Sequence, residues 1–180
     1  MRDAGEIKED FCRIGHRLFA EALTGANFGN LSIRVGDGFY ITRRGSYLDT
    51  PGEPVYVPLE GASPPQASSE YRVHRQIYKK TPHLAVVHAH PPFAIALSIL
   101  YDGISPVDSE GLMFCPFIPV VNGSPGSEEL ALNVSQGLLS SSVAIARCHG
   151  TFAGGKDLDE AYIRTSIAEH SCRILTLLRK

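Results

Sequence analysis

The sequence predicts an α/β protein of three layers, in which a central mixed, largely antiparallel sheet carries helices on both faces. Segments with helical periodicity alternate with short apolar runs of strand length. Several neighbouring strand candidates are joined by tight turns, as antiparallel pairs are. The 180 residues are 43% hydrophobic, enough for one core without staples, so residues 1–180 read as one domain.

The elements follow in order. Ile7, Phe11, Ile14 and Leu18 recur at helical spacing, and Gly25 follows, predicting a helix over residues 4–23. Leu31 to Val35 and Phe39 to Thr42 read as strands around the turn Gly36-Asp37-Gly38, with a third short strand over Val55 to Pro58. Glu60 to Ala67, rich in Gly, Pro and Ser, reads as a loop. A helix is predicted from Ser68 or Ser69 to Lys80, then an apolar strand from Leu84 to His90 that ends at Pro91-Pro92. A helix over 93–100, a strand over 117–121, a helix over 128–139 and a strand over 143–147 complete the middle. The last helix starts at Asp157, where Glu160 stands three residues on as in a capping box.

Composition narrows the function. A net charge of −2 gives no electrostatic case for nucleic acid or an anionic membrane, so any anionic substrate needs a local site. The apolar runs are too short to span a bilayer, and MRDAGEIKED has no apolar signal core. Cys12, Cys115, Cys148 and Cys172 are scattered with no CxxC pair, which predicts reduced thiols in a cytoplasm.

His88 and His90 flank one residue at a strand end. Alternation points both imidazoles to one face, where they can share a metal ion. With 7 histidines in the chain, chance alone gives about 0.3 such pairs, so the pair carries little by itself. His149 strengthens it: it stands at the end of another apolar strand, and three protein ligands leave a catalytic zinc one open position. Cys148 is a competing ligand, but alternation puts it on the opposite face. His16, His74, His83 and His170 stand alone and read as surface or supporting residues. Ser68-Ser69-Glu70 at a helix start reads as a capping turn or as an anion site in which Glu70 is either a fourth zinc ligand or a general base. Gly29-Asn30 and Thr42 to Gly45 offer glycines, amide, hydroxyl and guanidinium donors around a hairpin, residues that turns also favour.

Gly29-Asn30-Leu31-Ser32, Ile41-Thr42 to Gly45, Ser68-Ser69-Glu70 to His74, His88-Ala89-His90 and His149-Gly150 occur in that order over nearly the whole chain. The set resembles the class II aldolase/adducin family. The resemblance implies a nine-stranded or similar mixed αβα fold and a homotetramer with active sites between subunits. It implies one Zn2+ per subunit on His88, His90 and His149, with Glu70 completing the resting coordination and then acting as acid and base. Gly29, Asn30, Thr42, Gly45, Ser68 and Ser69 would hold a substrate phosphate. The implied reaction is aldol cleavage of a ketose 1-phosphate, such as L-fuculose 1-phosphate, to dihydroxyacetone phosphate and a short aldehyde. Phosphopentulose epimerisation and thiosugar-phosphate dehydration are alternatives on the same site, and a non-catalytic adducin-like scaffold is a third.

Two departures stand out. Arg43-Arg44 lies where the family's aldolases usually carry Pro and a small residue. No tyrosine stands in Val107-Asp108-Ser109-Glu110, where a neighbouring subunit's tyrosine is expected to serve the aldehyde oxygen, so Asp108 or Glu110 is the candidate replacement acid.

Overall fold

A computed structural model describes residues 3–178. Its elements are α1 (Ala4–Ala20), β1 (Asn30–Val35), β2 (Gly38–Ile41), β3 (Val55–Pro58), α2 (Tyr71–Lys80), β4 (Ala85–Ala89), α3 (Pro92–Leu100), β5 (Gly103–Ile104), α4 (Ser109–Phe114), β6 (Ile118–Val121), α5 (Glu128–Gly137), β7 (Val143–Ala146), β8 (Gly150–Gly155) and α6 (Leu158–Leu177). The described strands form one eight-stranded sheet in the order β3-β2-β1-β4-β8-β7-β6-β5, against the nine-stranded or similar sheet expected. Every pair is antiparallel except β6 with β7.

Alternation along the central strands builds the three layers. Val86, Ala144, Ala146 and Phe152 face one side, where they pack with Val73, Ile77 and Tyr78 of α2 and Leu130, Ala131 and Val134 of α5. Ala85, Val87 and Ala89 face the other side, against Ile7, Phe11, Ile14 and Leu18 of α1 and Leu158, Ala161 and Tyr162 of α6. α1, α2, α5 and α6 each bury an apolar face on the sheet, which is what their 3.6-residue periodicity provides. Asp3, Asp108, Ser127 and Asp157 each accept a backbone N–H at the start of the helix that follows.

Several boundaries differ from the sequence expectation. α1 stops at Ala20, and α2 starts at Tyr71 rather than Ser68 or Ser69. β5 and α4 are short elements that the sequence pattern does not mark. β8, GTFAGG, carries no strand pattern because half of it is glycine, yet it lies in the sheet interior between β4 and β7. The glycines fit close neighbours: a Cβ on Gly154 would fall 2.2 Å from the His83 ring. Close packing on both faces selects small residues here over β-formers.

α1 approaches the 42–50 connection, which lies beside the site, through Gly15. A Cβ there would fall 1.8 Å from the Leu48 carbonyl oxygen, and backbone cannot step aside as a side chain can. Gly15→Ala is expected to destabilise the protein by about 2 kcal/mol or more through overpacking. Urea unfolding measures this, and an unchanged midpoint would refute the close approach.

Candidate active site

The site is built at one end of the central strands. Since Val86 faces α2 and α5, alternation sends His88 the same way, and His90 follows one residue past the end of β4. His90 is held by its backbone N–H, which donates to the Leu23 carbonyl at 2.9 Å. The corner into α3 is pinned by Glu169 of α6. Its carboxylate accepts the N–H groups of Phe93 and Ala94 at 2.9 and 2.8 Å, and α3 has no capping side chain of its own.

His149 arrives differently from the expectation. It is not a strand-end residue but part of the tight turn between β7 and β8, whose flanking residues Ala146 and Gly150 pair directly. Cys148 takes the left-handed conformation (φ +60°) and His149 donates its N–H to the Ala146 carbonyl at 3.0 Å. The turn leaves Cys148 exposed and carries the imidazole toward the other two.

The three rings converge. Their centroids are 4.8 to 4.9 Å apart, and one nitrogen from each lies within 4.8 Å of the others. The Nε2 atoms of His88 and His90 are 3.2 Å apart, close to the roughly 3.4 Å edge of a tetrahedral zinc site with bonds near 2.05 Å. His88 places Nδ1 2.9 Å from the Thr151 carbonyl; donating there fixes the tautomer and leaves the Nε2 lone pair for a cation. Burial lowers the pKa of all three imidazoles, taking His90 to about 4, and the His149 ring further disfavours charge on His88 and His90. Neutral imidazole is the form that ligates.

Glu70 completes the cluster. It stands at the cap position of α2, but its side chain makes no capping hydrogen bond and turns into the site instead. Its Oε1 lies 3.9 Å from His149 Nε2, too far for a hydrogen bond and with both groups disfavouring charge. Burial pushes the carboxyl up to about 7, partly offset by the Gly126 backbone N–H. Glu70 Oε2 and His149 Nδ1 are buried without a hydrogen-bond partner. Three lone pairs, a carboxyl and unsatisfied buried acceptors in one spot fit a divalent cation.

A cavity of about 370 Å³ opens on this cluster. Besides His88, His90, His149 and Glu70 its wall carries Gly29, Asn30, Arg43, Arg44, Gly45, Ser68 and Ser69. Asn30 lies there because it pairs with His88 across β1 and β4. Gly29 has φ +80°, and a Cβ would meet the His88 carbonyl at 2.5 Å, so only glycine permits this approach. Arg43 bridges to Ala67, and the Arg44 N–H donates to the Gln66 carbonyl, which brings the arginine turn alongside Ser68 and Ser69.

Other expected residues lie elsewhere. Thr42 is buried outside the cavity wall, with its hydroxyl accepting the Leu31 N–H at 3.3 Å. Asp108 caps α4 through the Gly111 N–H, and exposed Glu110 accepts from Ser109; neither lines the cavity of its own chain. His74, read from the sequence as a surface or supporting residue, is not on the surface but fully buried. Sequence reasoning missed Asn27, Phe28 and Pro125 in the cavity wall. Phe28 stacks on His90 at 5.3 Å and 13°, and a single aromatic in a loop gives no signal of that.

A mixed sheet thus presents three histidines that could hold a metal ion, and a carboxyl, beside a basic, serine-lined cavity. The chain belongs to the family described as Class II Aldolase and Adducin N-terminal domain, whose pattern matches residues 9–176. It is similar to the L-fuculose phosphate aldolase of Methanococcus maripaludis, 34% identical over 170 residues that cover 92% of this chain and 93% of that one. The crystal structure of L-fuculose-1-phosphate aldolase from Thermus thermophilus matches with a TM-score of 0.93 and 38% identity, over 96% of this chain and 94% of the other. A 3-oxo-tetronate 4-phosphate decarboxylase of Haemophilus influenzae is 28% identical over 193 residues, 96% of this chain and 88% of the relative.

The raised carboxyl has a stability consequence. In metal-free protein a folded pKa above the unfolded one favours folding while the group is protonated; that contribution is lost as pH rises through about 7. Glu70→Gln is therefore expected to raise the unfolding midpoint of metal-free protein at pH 8 and to leave it unchanged at pH 4. Equal midpoints for both proteins at pH 8 would show that the carboxyl is not desolvated.

Proposed function

We propose that the protein is a class II, metal-dependent aldehyde-lyase that cleaves a ketose 1-phosphate, such as L-fuculose 1-phosphate, into dihydroxyacetone phosphate and a short aldehyde. Membership of the aldolase family makes it a lyase. The observation that carries the finer reading is the meeting of His88, His90, His149 and Glu70 in one cavity whose wall also holds Arg43 and Arg44. Convergence of all four groups disfavours a scaffold that has lost catalysis.

His88, His90 and His149 would hold one divalent ion per subunit, taken as zinc from the nitrogen donors, with Glu70 as a fourth ligand at rest. When bound, the ion supplies Lewis-acid polarisation of the ketose carbonyl. Arg43, Arg44, Gly45, Ser68, Ser69 and the Gly29-Asn30 turn anchor the phosphate, and Thr42 supports that wall by tying its segment to β1. Cleavage breaks the bond between C3 and C4, leaves the electron pair on C3 beside the carbonyl, and releases the C4 hydroxyl proton as the aldehyde forms. Glu70, its carboxyl poised near neutrality, delivers the proton to C3.

The group that takes the C4 hydroxyl proton is assigned to Asp108 or Glu110 of a neighbouring subunit. Both stand at the start of α4, whose Leu112, Met113 and Phe114 are more than half exposed, as is nearby Phe117. An apolar segment of that kind suits burial between subunits, in keeping with a homotetramer whose sites lie at subunit contacts. The four free cysteines are in keeping with a reducing, cytoplasmic location.

The test is metal analysis together with a coupled assay for dihydroxyacetone phosphate over a panel of ketose 1-phosphates, with 3-oxo-tetronate 4-phosphate as the decarboxylation control. His88→Ala is expected to lose the metal and more than about 100-fold of turnover while circular dichroism stays unchanged. Full activity in that variant refutes the site. The double variant Arg43→Ala/Arg44→Ala is expected to raise KM about tenfold with kcat within a few-fold, the signature of binding shared by ground and transition state. An unaltered KM removes the arginines from the phosphate site.

A further inference from the structure

Three polar side chains that the proposed reaction does not use are sealed between α2 and the sheet. Ser32 of β1 and His74 of α2 are fully buried, and Tyr78 is 1% exposed. Ser32 Oγ is 2.6 Å from His74 Nδ1 and 2.6 Å from the Tyr78 hydroxyl. Tyr78 can donate to Ser32 and Ser32 to His74 Nδ1, which keeps the imidazole neutral, while His74 Nε2 is buried without a hydrogen-bond partner. Its neutrality agrees with burial, which drives the His74 pKa down to about 3. Hydrogen bonds inside an apolar layer are strong and directional, and this network spans two elements.

The network touches both halves of the catalytic cluster. Glu70, His74 and Tyr78 recur every four residues and so share one face of α2. The backbone N–H of His74 donates to the Glu70 carbonyl at 3.2 Å, so the first turn of the helix hangs directly on the carboxyl-bearing residue. Glu70 gives α2 no side-chain cap, and the polar bonds to Ser32 lie just below that uncapped end. On its other side His74 stands edge-on to Phe152, with centroids 6.1 Å apart at 74°. Phe152 lies flat against His88 at 4.1 Å and 11°. The backbone carbonyl of its neighbour Thr151 accepts a hydrogen bond from His88 Nδ1. His74 is thus one turn from the carboxyl and one ring from the histidine.

We propose that Ser32, His74 and Tyr78 form a positioning network that sets the separation between the Glu70 carboxyl and the His88 ring. The inference rests on the reading of Glu70 as the group that moves the proton to and from carbon. The three residues are positioning residues, since none lines the cavity. Loss of the network lets α2 and the Phe152 ring settle independently. Proton transfer then slows, while Arg43 and Arg44, which stand on a separate connection after β2, keep their hold on the phosphate.

His74→Phe keeps the ring volume and leaves Ser32 bonded to Tyr78. Ser32→Ala removes the shared hydroxyl. His74→Asn retains a polar atom near the place of Nδ1. In the metal-loaded enzyme, His74→Phe and Ser32→Ala are expected to lower kcat roughly tenfold with KM within twofold, and His74→Asn to recover most of the loss. In parallel, the buried His88 Nδ1–H proton resonance is expected to shift in the first two variants and return in the third. A purely structural role would lower the thermal midpoint but leave kcat and this resonance as in wild type; that result overturns the proposal. Should His74→Phe fail to fold, Tyr78→Phe, which removes one hydroxyl, decides by the same two readouts. If wild-type protein cleaves no ketose 1-phosphate, the ketose phosphate reading fails, and the resonance alone decides whether the network orients His88.

Discussion

The constraint on which this structure turns is desolvation. Three imidazoles and one carboxyl are taken out of water at the same spot, and the fold supplies hydrogen-bond partners for only part of their polar atoms. A buried acceptor without a partner costs about 1–3 kcal/mol, so such a cluster is stable only if its surroundings hold it open or a cation completes it. Burial makes the histidines neutral and the carboxyl reluctant to ionise, and both effects keep lone pairs and a transferable proton near neutral pH.

The rest of the molecule holds that cluster open. β4 lies in the sheet interior between β1 and β8, and each neighbour contributes to His88: Asn30 sits opposite it on β1, while Thr151 and Phe152 fix its proton and its ring plane from β8. Glu169 reaches from α6 to fasten the corner after His90. The glycine-rich β8 serves the same end, because bulky side chains there would push α6 and His83 off the sheet. Rigid backbone at the centre lets connecting segments supply the variable wall of the cavity.

Much of this is legible in the residues. The period-two spacing of His88 and His90 foretells a shared face, and the structure gives them one. The sequence marks His149 as the third ligand for a strand-end reason, but the turn with Cys148 at φ +60° is what aims it, and alternation says nothing about a turn. Glu70 is legible from its place at a helix start. Its missing cap is not, since capping depends on where the side chain is drawn. β8 escapes notice because glycine reads as a breaker, while the true constraint is the proximity of α6 and β4, which only the tertiary structure expresses. Thr42 shows the converse: a hydroxyl at the expected place commits its hydrogen bond to the Leu31 amide.

The histidine and carboxyl cluster does not by itself distinguish the reactions found among related proteins. Aldol cleavage and decarboxylation beside a keto group both leave an electron pair on a carbon next to a carbonyl, and both end with a proton delivered there. One relative is a 3-oxo-tetronate 4-phosphate decarboxylase and others are fuculose phosphate aldolases, although the chains align over nearly their full length. What separates the outcomes is the group that departs: an aldehyde needs a base for its hydroxyl proton, and carbon dioxide needs none. Selectivity must then reside in whatever faces the departing group. In this chain Arg43, Arg44, Ser68 and Ser69 line one part of the cavity, and Glu70 is the one carboxyl among the described wall residues. That asymmetry is what supports the proposal of a second proton acceptor from another copy of the chain, with Asp108 and Glu110, at the start of α4 beside an exposed apolar segment, as its candidates.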